Sequence, residues 1–474
     1  AGGYPQTPPA EWNTIDWGLD DTIVTPYAHV INFSIARELP SDLIVEAGYV
    51  GRRGRHLLVQ RDLAMVMDLC DPKSGMCYNE ATHMLIHADN AGVDIRNLAP
   101  IPYFENMFPD FGPSGPNGGR LRYDIWWVAR GPDRILGTAD DIRGWSATQV
   151  WYDLLTWASP DYTYAPYLVD LYGLYHATRM PVPVYAKTGP YSFFNDVYNS
   201  LGAWSSVGNS DYHGVLLTFR KRLSRGIAFN FNYTFSQSRD LTSEAERADI
   251  WGGIFTGGYS GFLINSWSPQ LNRSWSDFDM RHQMNANWYI ELPFGRGKRF
   301  GGGWPGVVNQ LLGGWQVSGI FRWTSGLPAN VINGRSWPTN WQLQGNATCL
   351  DQQVCPATKT TKLGEGPNLY TDPAAAFDGF RWSMPGEIGE RNILRGDGYF
   401  VVDFGLGKRF RMPVEGHSLQ FRWEVFNLTN SVRFDTNSLS NSIGSPGTFG
   451  LYTDVLGPVE GAARVMQFAL RYEW

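Results

Sequence analysis

Hydrophobic and polar residues alternate without a break along RVMQFALRYEW, the stretch from Arg464 to Trp474. The apolar set comprises Met466, Phe468, Leu470, Tyr472 and Trp474. Because the side chains of a strand point alternately to opposite faces, this segment would have one apolar face and one polar face. Its length suits a tilted membrane-crossing strand, which needs roughly 9 to 11 residues. Alone, the segment fits either a lipid-facing strand of a barrel or a half-buried strand of a soluble sheet.

The same alternation recurs along the chain and predicts further strands. In the clearest segment, 227–236, the aromatic residues Phe229, Phe231 and Tyr233 alternate with Asn230, Asn232 and Thr234. The segment 212–222 precedes it and is joined to it by the short turn 223–226, which predicts a hairpin. The remaining predicted strands are 27–37, 42–51, 280–292, 314–325, 398–409, 417–428 and 462–474, which makes nine in all.

Short and long connections alternate between these strands. The short or intermediate connections are 38–41, 223–226, 293–313 and 410–416, and the long ones are 52–210, 238–279, 326–397 and 429–461. Outer-membrane barrels join their strands in this way, with short periplasmic turns and long external loops. We therefore predict an all-β fold: a transmembrane antiparallel β-barrel in the bacterial outer membrane, with extracellular loops and a periplasmic C-terminus.

This interpretation divides the chain into four parts. Residues 1–26 are predicted to be an extracellular loop remnant, 27–51 a β-hairpin of the barrel, 52–210 a large extracellular cap, and 211–474 seven strands with long external loops. Nine antiparallel strands cannot close a barrel by antiparallel pairing, as single-chain bacterial barrels do, because the first and the last run in the same direction. Open edges in lipid would cost several kcal/mol for each unsatisfied backbone group. Unless the count is wrong by one, we expect a larger barrel whose other strands lie upstream or on another chain.

Composition agrees with a β-rich membrane protein. Aromatic residues make up 15% of the chain, and 53 Gly with 29 Pro imply many turns, which disfavours a helical protein. The sequence contains no run of about 18 apolar residues, so it predicts no transmembrane helix. The net charge of -6 comes without a basic block, so nucleic acid is not an expected partner.

The cysteines form two closely spaced pairs, Cys70 with Cys77 and Cys349 with Cys355. Such spacing in long polar loops predicts two small disulfides and an oxidising, extracytoplasmic compartment. A zinc site that uses all four cysteines is the alternative, although the spacing is wider than the two-residue separation of zinc knuckles.

Four stretches of the chain resemble one family. They are NFSIARELPSDLIVEAGYVGRRGRHLL from Asn32, DYHGVLLTFRKRLSRGIAFNFNYTFSQSRD from Asp211, DFDMRHQMNANWYIELPFGRGKRF from Asp277 and LQFRWEVFNLTN from Leu419. With the closing strand, they resemble the TonB-dependent receptors of the bacterial outer membrane, in particular the Oar-like group with a carboxypeptidase-regulatory-like N-terminal domain. The segment from about 65 to 208 matches no part of that family.

The resemblance implies a barrel of about 22 strands, of which these nine would be the last. It also implies capture of a bulky substrate, such as a glycan, a peptide or a siderophore, and its passage through a plugged lumen when TonB acts on the plug. No stretch here resembles the plug or the TonB-contacting segment. The plug and the remaining strands would therefore be partners, on the same precursor or on a separate chain.

The polar positions of the predicted strands would line the lumen. They include Asn230, Asn232, Thr234, Gln283, Asn285, Asn287, Gln316, Arg322, Gln420, Arg422 and Glu424. An amide-rich wall suits hydrogen bonding to substrate, but any wide barrel needs a polar lumen, so contact with a plug is the favoured interpretation. Arg322, Arg422 and Glu424 are predicted to form a charge ladder. The lipid face would carry an interfacial girdle formed by Trp288, Trp315, Trp323, Trp423 and Trp474.

The predicted cap is rich in aromatic residues: Trp126, Trp127, Trp145, Trp151, Trp157, Tyr162, Tyr164, Tyr167 and Tyr172. They would form either a small core, which we favour, or a stacking platform for glycans. Asp133, Asp140 and Asp141 surround a glycine turn and offer oxygen ligands for Ca²⁺, although the spacing is not that of an EF-hand. A solvated acidic turn is the favoured alternative.

Nothing in the sequence favours an enzyme. His83 and His87 are separated by four residues but lack the glutamate of a metalloprotease motif, and no nucleophile elbow or phosphate-binding glycine loop occurs.

Two further functions remain as alternatives to transport. One is a structural or adhesive outer-membrane surface protein without active transport, and the other is a secreted soluble carbohydrate-binding β protein, which solubility without detergent would favour.

Overall fold

A computed structural model describes residues 14–112, 145–160, 162, 164–166, 193, 198–243, 263–336, 344–363, 366–456 and 463–474. Strands dominate this part of the chain. They are β1 (Thr14–Leu19), β2 (Tyr27–Leu39), β3 (Leu43–Asp62), β4 (Tyr198–Ser224), β5 (Ile227–Asp240), β6 (Ser274–Trp275), β7 (His282–Glu291), β8 (Trp315–Thr324), β9 (Pro328–Ala329), β10 (Ile332–Ser336), β11 (Gln344–Asn346), β12 (Thr348–Cys349), β13 (Thr361–Leu363), β14 (Gly366–Asn368), β15 (Phe380–Arg381), β16 (Leu394–Arg395), β17 (Tyr399–Arg411), β18 (Ser418–Phe426) and β19 (Val465–Glu473).

The long strands form one sheet in the order β2, β3, β4, β5, β7, β8, β17, β18 and β19. Every neighbouring pair in this order is antiparallel, which confirms the predicted fold class. Each of the long strands overlaps one of the segments in which alternation predicts a strand. Among the described residues, no strand pairs with the outer edge of β2 or of β19, so the sheet is not closed.

Connections at the two ends of the sheet differ in length. At one end, here called the short-turn end, lie the connections 40–42, 225–226, 292–314 and 412–417. At the other, the long-loop end, lie 63–197, 241–281, 325–398 and 427–464. The short-turn end also holds residue Glu473 of β19, which lies opposite Ser418.

Two strands run past the boundaries that alternation predicts. Residues 52–62 and 198–210, predicted to be loop, continue β3 and β4. The register shifts between Arg55 and Leu57 and again between Leu57 and Val59, and His56 has a positive φ of 55°. A bulge of this kind changes which face a side chain takes, and it therefore hides the two-residue period from the sequence. The predicted loop remnant likewise contains β1, which pairs in parallel with β4.

The connection between β3 and β4 contains a small helical domain, the cap. Its helices are α1 (Tyr78–Asn90), α2 (Pro102–Met107), α3 (Ala147–Ala158) and α4 (Tyr164–Pro166), with 3₁₀ turns at Ile95–Asn97 and Pro109–Phe111. Ser146 and Gln149 form a capping box at the start of α3, which satisfies free amides of its first turn. The helices bury an aromatic cluster in which the Trp151 ring packs 4.8 Å from Phe108 and 5.6 Å from Tyr78.

A second core joins two of the predicted external loops. It contains Val331, Ala347, Leu369, Phe380 and Leu394 from the β8–β17 connection, and Leu439, Ile443, Phe449 and Tyr452 from the β18–β19 connection. The remaining helices are α5 (Gly306–Leu312) and α6 (Pro373–Asp378), with 3₁₀ turns at Pro269–Asn272, Thr436–Ser438 and Pro446–Thr448. No helix within the described ranges has the length and apolar character required to cross a membrane.

The buried cluster predicts unequal effects for two tryptophans of α3. Trp151 is fully buried, so Trp151→Ala should destabilise the cap by about 3 to 5 kcal/mol. Trp157 is 42% exposed, and Trp157→Ala should cost only about 0.5 kcal/mol. Hydrogen exchange of α1 and α3 measures both effects. Equal loss of protection in the two variants would contradict the assigned core.

Candidate substrate-facing surface

Strand register separates the sheet into one polar face and one aromatic face. Residues directly opposite in antiparallel strands share a face. Asn230 lies opposite Asn287, and Asn232 lies opposite Asn285, which lies opposite Arg322. By the same register Gln316, Arg422 and Gln420 follow on this face, as do Gln283 and Glu424. All the residues that the sequence predicts to line the lumen therefore share one face of the sheet.

A groove of about 300 Å³ lies on the polar face, where β5, β7 and β8 meet. Its polar lining consists of Asn230, Asn232, Asn285, Asn287 and Arg322, here called the amide groove. Thr218 donates a hydrogen bond to Asn232 Oδ1 at 3.1 Å, whereas Asn230 Oδ1 has no donor within the described part of the chain. Side-chain amides offer both donors and acceptors, and Arg322 adds a cationic fork. The groove can therefore bind a neutral polar or an anionic group.

The charged residues of the polar face do not form one continuous ladder. Arg422 bonds Glu424 at 2.5 Å, and Gln467 donates to the same carboxylate. Arg322 lies two strands away, on β8 beside Asn285, and belongs to the amide groove. The prediction of a single ladder from Arg322 to Glu424 was therefore wrong, because alternation assigns a face to each residue but not a neighbour.

The opposite face is lined by aromatic and aliphatic side chains. The predicted girdle residues Trp288, Trp315, Trp323 and Trp423 all point this way by register, and Trp423 stacks on Phe468 with ring centroids 6.0 Å apart. Phe33, Ile35, Phe468 and Leu470 are more than 60% exposed on it. A continuous exposed apolar face of this extent needs a non-aqueous neighbour.

Tyrosine and histidine pairs lie near the ends of this apolar face. Tyr49 bonds His213 at 2.7 Å and Tyr233 bonds His282 at 2.8 Å, both toward the long-loop end. Tyr472 bonds His417 at 2.5 Å at the short-turn end. Such amphipathic rings suit the boundary between lipid and water.

An arginine clasp fixes the long loops above the polar face. Arg391, in the β8–β17 connection, bonds Asp240 at the end of β5 and Asp277 before β7, each at 2.7 Å. Arg395 bonds Asp279 at 2.5 Å, and Asp279 is only 2% exposed. These five residues constitute the clasp. It joins the β8–β17 connection to the end of β5 and to the β5–β7 connection at the long-loop end.

Trp275 supports the clasp from β6. The guanidinium carbon of Arg395 lies 5.8 Å from its ring, within cation–π range. Arg239 and Arg281, which flank the clasp, lie closer to the same ring, at 4.0 and 4.3 Å. Burial alone would lower the pKa of Arg391, but the carboxylates of Asp277 and Asp240 raise it above its ordinary value. In the sequence these residues stand only as separate groups, the carboxylates of DFD and the two arginines of RNILR, and no local pattern pairs them.

Both predicted disulfides are present, Cys70–Cys77 and Cys349–Cys355. They leave no thiolate for the alternative zinc site. The first closes a loop in which Asp71 accepts hydrogen bonds from Ser74 Oγ at 2.5 Å and from Asn106 Nδ2 at 2.7 Å. Burial opposes ionisation of Asp71, but these hydrogen bonds outweigh it and lower its pKa to about 2.

The cap aromatics divide between core and surface. Trp145, Trp151 and Tyr162 belong to the buried cluster, whereas Trp157 is exposed. Tyr164 begins α4, and Trp126, Trp127, Tyr167 and Tyr172 lie outside the described residues. The core interpretation therefore fits the buried members of the set.

Metal-binding residues are not brought together in the part of the chain that is described. Asp133, Asp140 and Asp141, the predicted Ca²⁺ ligands, lie outside it. Within it, no three His, Cys, Asp or Glu residues are close enough to share a metal ion. His83 instead bonds the carbonyl of Pro385 at 2.7 Å and links the cap to the β8–β17 connection.

A smaller pocket of about 150 Å³ lies between the cap and the segment that precedes β6. Its lining includes Asp68, Tyr78, Trp267 and Leu271. The Trp267 indole donates to the carbonyls of Met65 and Val66, each at 3.2 Å, which orders this rim. The pocket lining runs from Met65 to Gly386, so no local pattern in the sequence indicates it.

Residues 156–467 match the family model described as outer membrane beta barrel domain. The chain belongs to this family. Two solved structures are similar to it: the outer membrane transporter YddB from Escherichia coli, at 10% identity and a TM-score of 0.34, and the FpvAI–pyocin S2 complex, at 8% identity and a TM-score of 0.29. These matches cover 96% and 94% of this chain but only 33% and 28% of the respective structures. No curated protein sequence matches.

Membership of the outer membrane beta barrel domain family indicates what surrounds each face of the sheet. The exposed aromatic face is the one that lipid can cover, and the polar face with the amide groove is the one that remains for the polar interior.

Breaking the clasp should release the long loops. Arg391→Leu would leave Asp240 and Asp277 without their buried partner, at a cost of about 3 to 5 kcal/mol. As a control, Arg222→Leu breaks a pair with Glu38 in which both side chains are 59% exposed, which should cost below about 1 kcal/mol. Hydrogen exchange of residues 366–395 distinguishes the two. Unchanged exchange in the Arg391 variant would rule out the anchoring role.

The ionisation of Asp71 should make the stability of the cap depend on pH. Its folded pKa of about 2 lies below the ordinary 3.8, so its stabilising effect is complete above the ordinary value and is lost as the pH falls toward about 2. Asp71→Asn should therefore be less stable than the parent at neutral pH, and the difference should shrink below pH of about 4. Cap melting followed at several pH values tests this. A difference that persists unchanged to pH of about 2 would contradict it.

Proposed function

We propose that this chain forms part of the wall and the extracellular cap of a TonB-dependent outer-membrane transporter for a bulky substrate such as a glycan, a peptide or a siderophore. The observation that carries this proposal is the amide groove, on the face opposite the exposed aromatic side chains. A structural wall needs only general polarity on its inner face. Four asparagines and an arginine in one groove offer more hydrogen-bonding capacity than that requirement.

The proposed orientation places the long-loop end outside the cell and the short-turn end in the periplasm. Its support is the length rule for outer-membrane barrels, in which the long connections are external. Both disulfides lie in long-loop connections, which agrees with an oxidising compartment there. The cap and the second core would then form a folded entrance, held over the lumen by the arginine clasp.

The transporter also needs a closed barrel and a plug. We propose that further strands pair with β2 and β19, because unpaired backbone groups at both edges would be costly in lipid. The resemblance to Oar-like TonB-dependent receptors suggests about 22 strands and a plug coupled to TonB. Under this proposal the amide groove contacts the plug at rest and substrate during passage, and the chain has no catalytic residues.

A structural or adhesive surface protein is the second candidate. The observation that favours it is the cap, which has its own hydrophobic core and its own disulfide. Such a domain would suit contact with a surface or another cell without any transport.

Photo-crosslinking in intact cells separates these functions. A photoreactive residue in place of Asn285 should crosslink to the plug, and the crosslink should change when TonB is absent. The matched control in place of Trp288, three positions along β7 on the aromatic face, should crosslink to lipid only. The surface-protein alternative predicts no protein crosslink at 285, or one that is independent of TonB.

Substitution of the amide groove provides a functional test. Asn230→Leu with Asn287→Leu should reduce TonB-dependent uptake by roughly tenfold or more, because each lost hydrogen bond contributes about 0.5 to 1.5 kcal/mol. Uptake of a panel of glycans, peptides and siderophores is compared in cells with and without TonB. If no member enters in a TonB-dependent manner through the parent protein, the transport proposal fails.

A further inference from the structure

The β7–β8 turn, 292–314, exposes an unusually apolar surface at the short-turn end. Helix α5 within it carries Val307, Leu311 and Leu312, which are 74%, 58% and 55% exposed. Phe294 and Phe300, with ring centroids 5.8 Å apart, are 41% and 49% exposed in the same turn. Turns of water-soluble surfaces rarely group so many large apolar side chains.

Two hydrogen bonds attach α5 to the aromatic face of the sheet. The carbonyl of Leu311 accepts from the Trp315 indole and from the Lys408 ammonium group, each at 3.0 Å. Trp315 and Lys408 lie opposite each other on β8 and β17, and both project from the aromatic face. The exposed side chains of α5 therefore continue the lipid-facing surface of the sheet.

Basic residues surround this apolar surface. Arg296 and Arg299 are exposed and have no carboxylate partner within the described residues, while Lys298 bonds Glu291 at 2.5 Å. Arg296 donates its backbone amide to Asn309 Oδ1 at 2.7 Å, which holds the basic segment against the helix. The neighbouring turns add further positive charge, whereas the whole chain has a net charge of -6. Basic residues of this end are Lys221, Arg225 and Arg411, together with Arg222 and Arg409, which form ion pairs with Glu38 and Glu473.

We propose that the β7–β8 turn docks on the surface of a phospholipid leaflet, with the apolar side chains of α5 in the headgroup boundary and Arg296 and Arg299 bound to anionic phosphates. The apolar surface of the turn continues the lipid-facing aromatic face, so a bilayer is the partner that fits it. The excess of positive charge around this surface favours anionic phospholipid. An interfacial helix combines these two features, and its basic side chains can extend toward the headgroups. The choice of the periplasmic leaflet rests on the orientation given under the proposed function; docking itself rests on the barrel family alone.

A fluorescent probe on Val307→Cys tests the position of the helix. Because all native cysteines are in disulfides, the introduced thiol is the one that labels. The intact protein is placed in phosphatidylethanolamine nanodiscs containing phosphatidylglycerol and lipids spin-labelled near the headgroup. The probe should shift to shorter wavelength and be quenched by the labelled lipid. A control probe on Asp42→Cys, exposed in the β2–β3 turn at the same end, should be quenched by aqueous iodide instead.

The charged residues are tested by their lipid preference. Arg299→Gln should lower the preference for phosphatidylglycerol over phosphatidylethanolamine by about fivefold, and Arg296→Gln with Arg299→Gln should lower it further. The control Lys73→Gln with Lys359→Gln removes equal charge at the long-loop end and should leave the preference unchanged. Native mass spectrometry of bound lipids provides the measurement.

Three results would overturn the proposal. The first is a Val307 probe quenched by iodide as strongly as the Asp42 probe. The second is an unchanged lipid preference in the arginine variants. The third is a probe that is exposed to water in nanodiscs but shielded in intact cell envelopes, which would assign this surface to a protein partner. None of these results depends on TonB or on uptake, so failure here is distinct from failure of the transport proposal.

Discussion

Within a bilayer, every backbone amide and carbonyl must find a hydrogen-bond partner inside the protein, and the rest of this structure depends on that constraint. The antiparallel meander from β2 to β19 satisfies it for seven interior strands. Along each strand of this sheet, successive side chains point to opposite faces. One face therefore meets lipid, and the other meets the polar interior. The amide groove exists because β5 and β7 place asparagines, and β8 places Arg322, on the same face of the sheet.

The two ends of the sheet meet different surroundings, and their stabilising interactions differ accordingly. At the long-loop end, two buried cores, two disulfides and the arginine clasp hold connections that would otherwise be free chain. Asp240, Asp277 and Asp279 bring negative charge into this end of the protein. Arg391 and Arg395 compensate this charge by forming ion pairs with the three carboxylates. At the short-turn end, the turns are compact, basic and, in the case of α5, apolar on the outside. This division agrees with a barrel that presents a folded entrance on one side and a membrane-bound rim on the other.

The sequence predicted the features that depend on local periodicity. Alternation placed a strand at every position of the long meander and assigned Asn230, Asn287 and Arg322 to one face. It failed at β3, where the bulge at His56 interrupts the period, and it did not foresee that β1 pairs in parallel with β4. The clasp could not be predicted because Asp240 and Arg391 are 151 residues apart, and only the fold brings them together. The cap core was favoured from its aromatic content, but its packing depends on contacts between helices that periodicity does not specify.

We infer that this sheet is a section of a closed barrel wall, and hydrogen exchange of its two edge strands in the native membrane tests this most directly. Mass spectrometry of the intact protein in outer-membrane nanodiscs would follow the amides of β2 and β19 that point away from β3 and β18. If further strands close the barrel, these amides exchange as slowly as those of the interior strand β7. If β2 and β19 exchange rapidly while β7 is protected, the edges are open, and the sheet is not part of a closed wall.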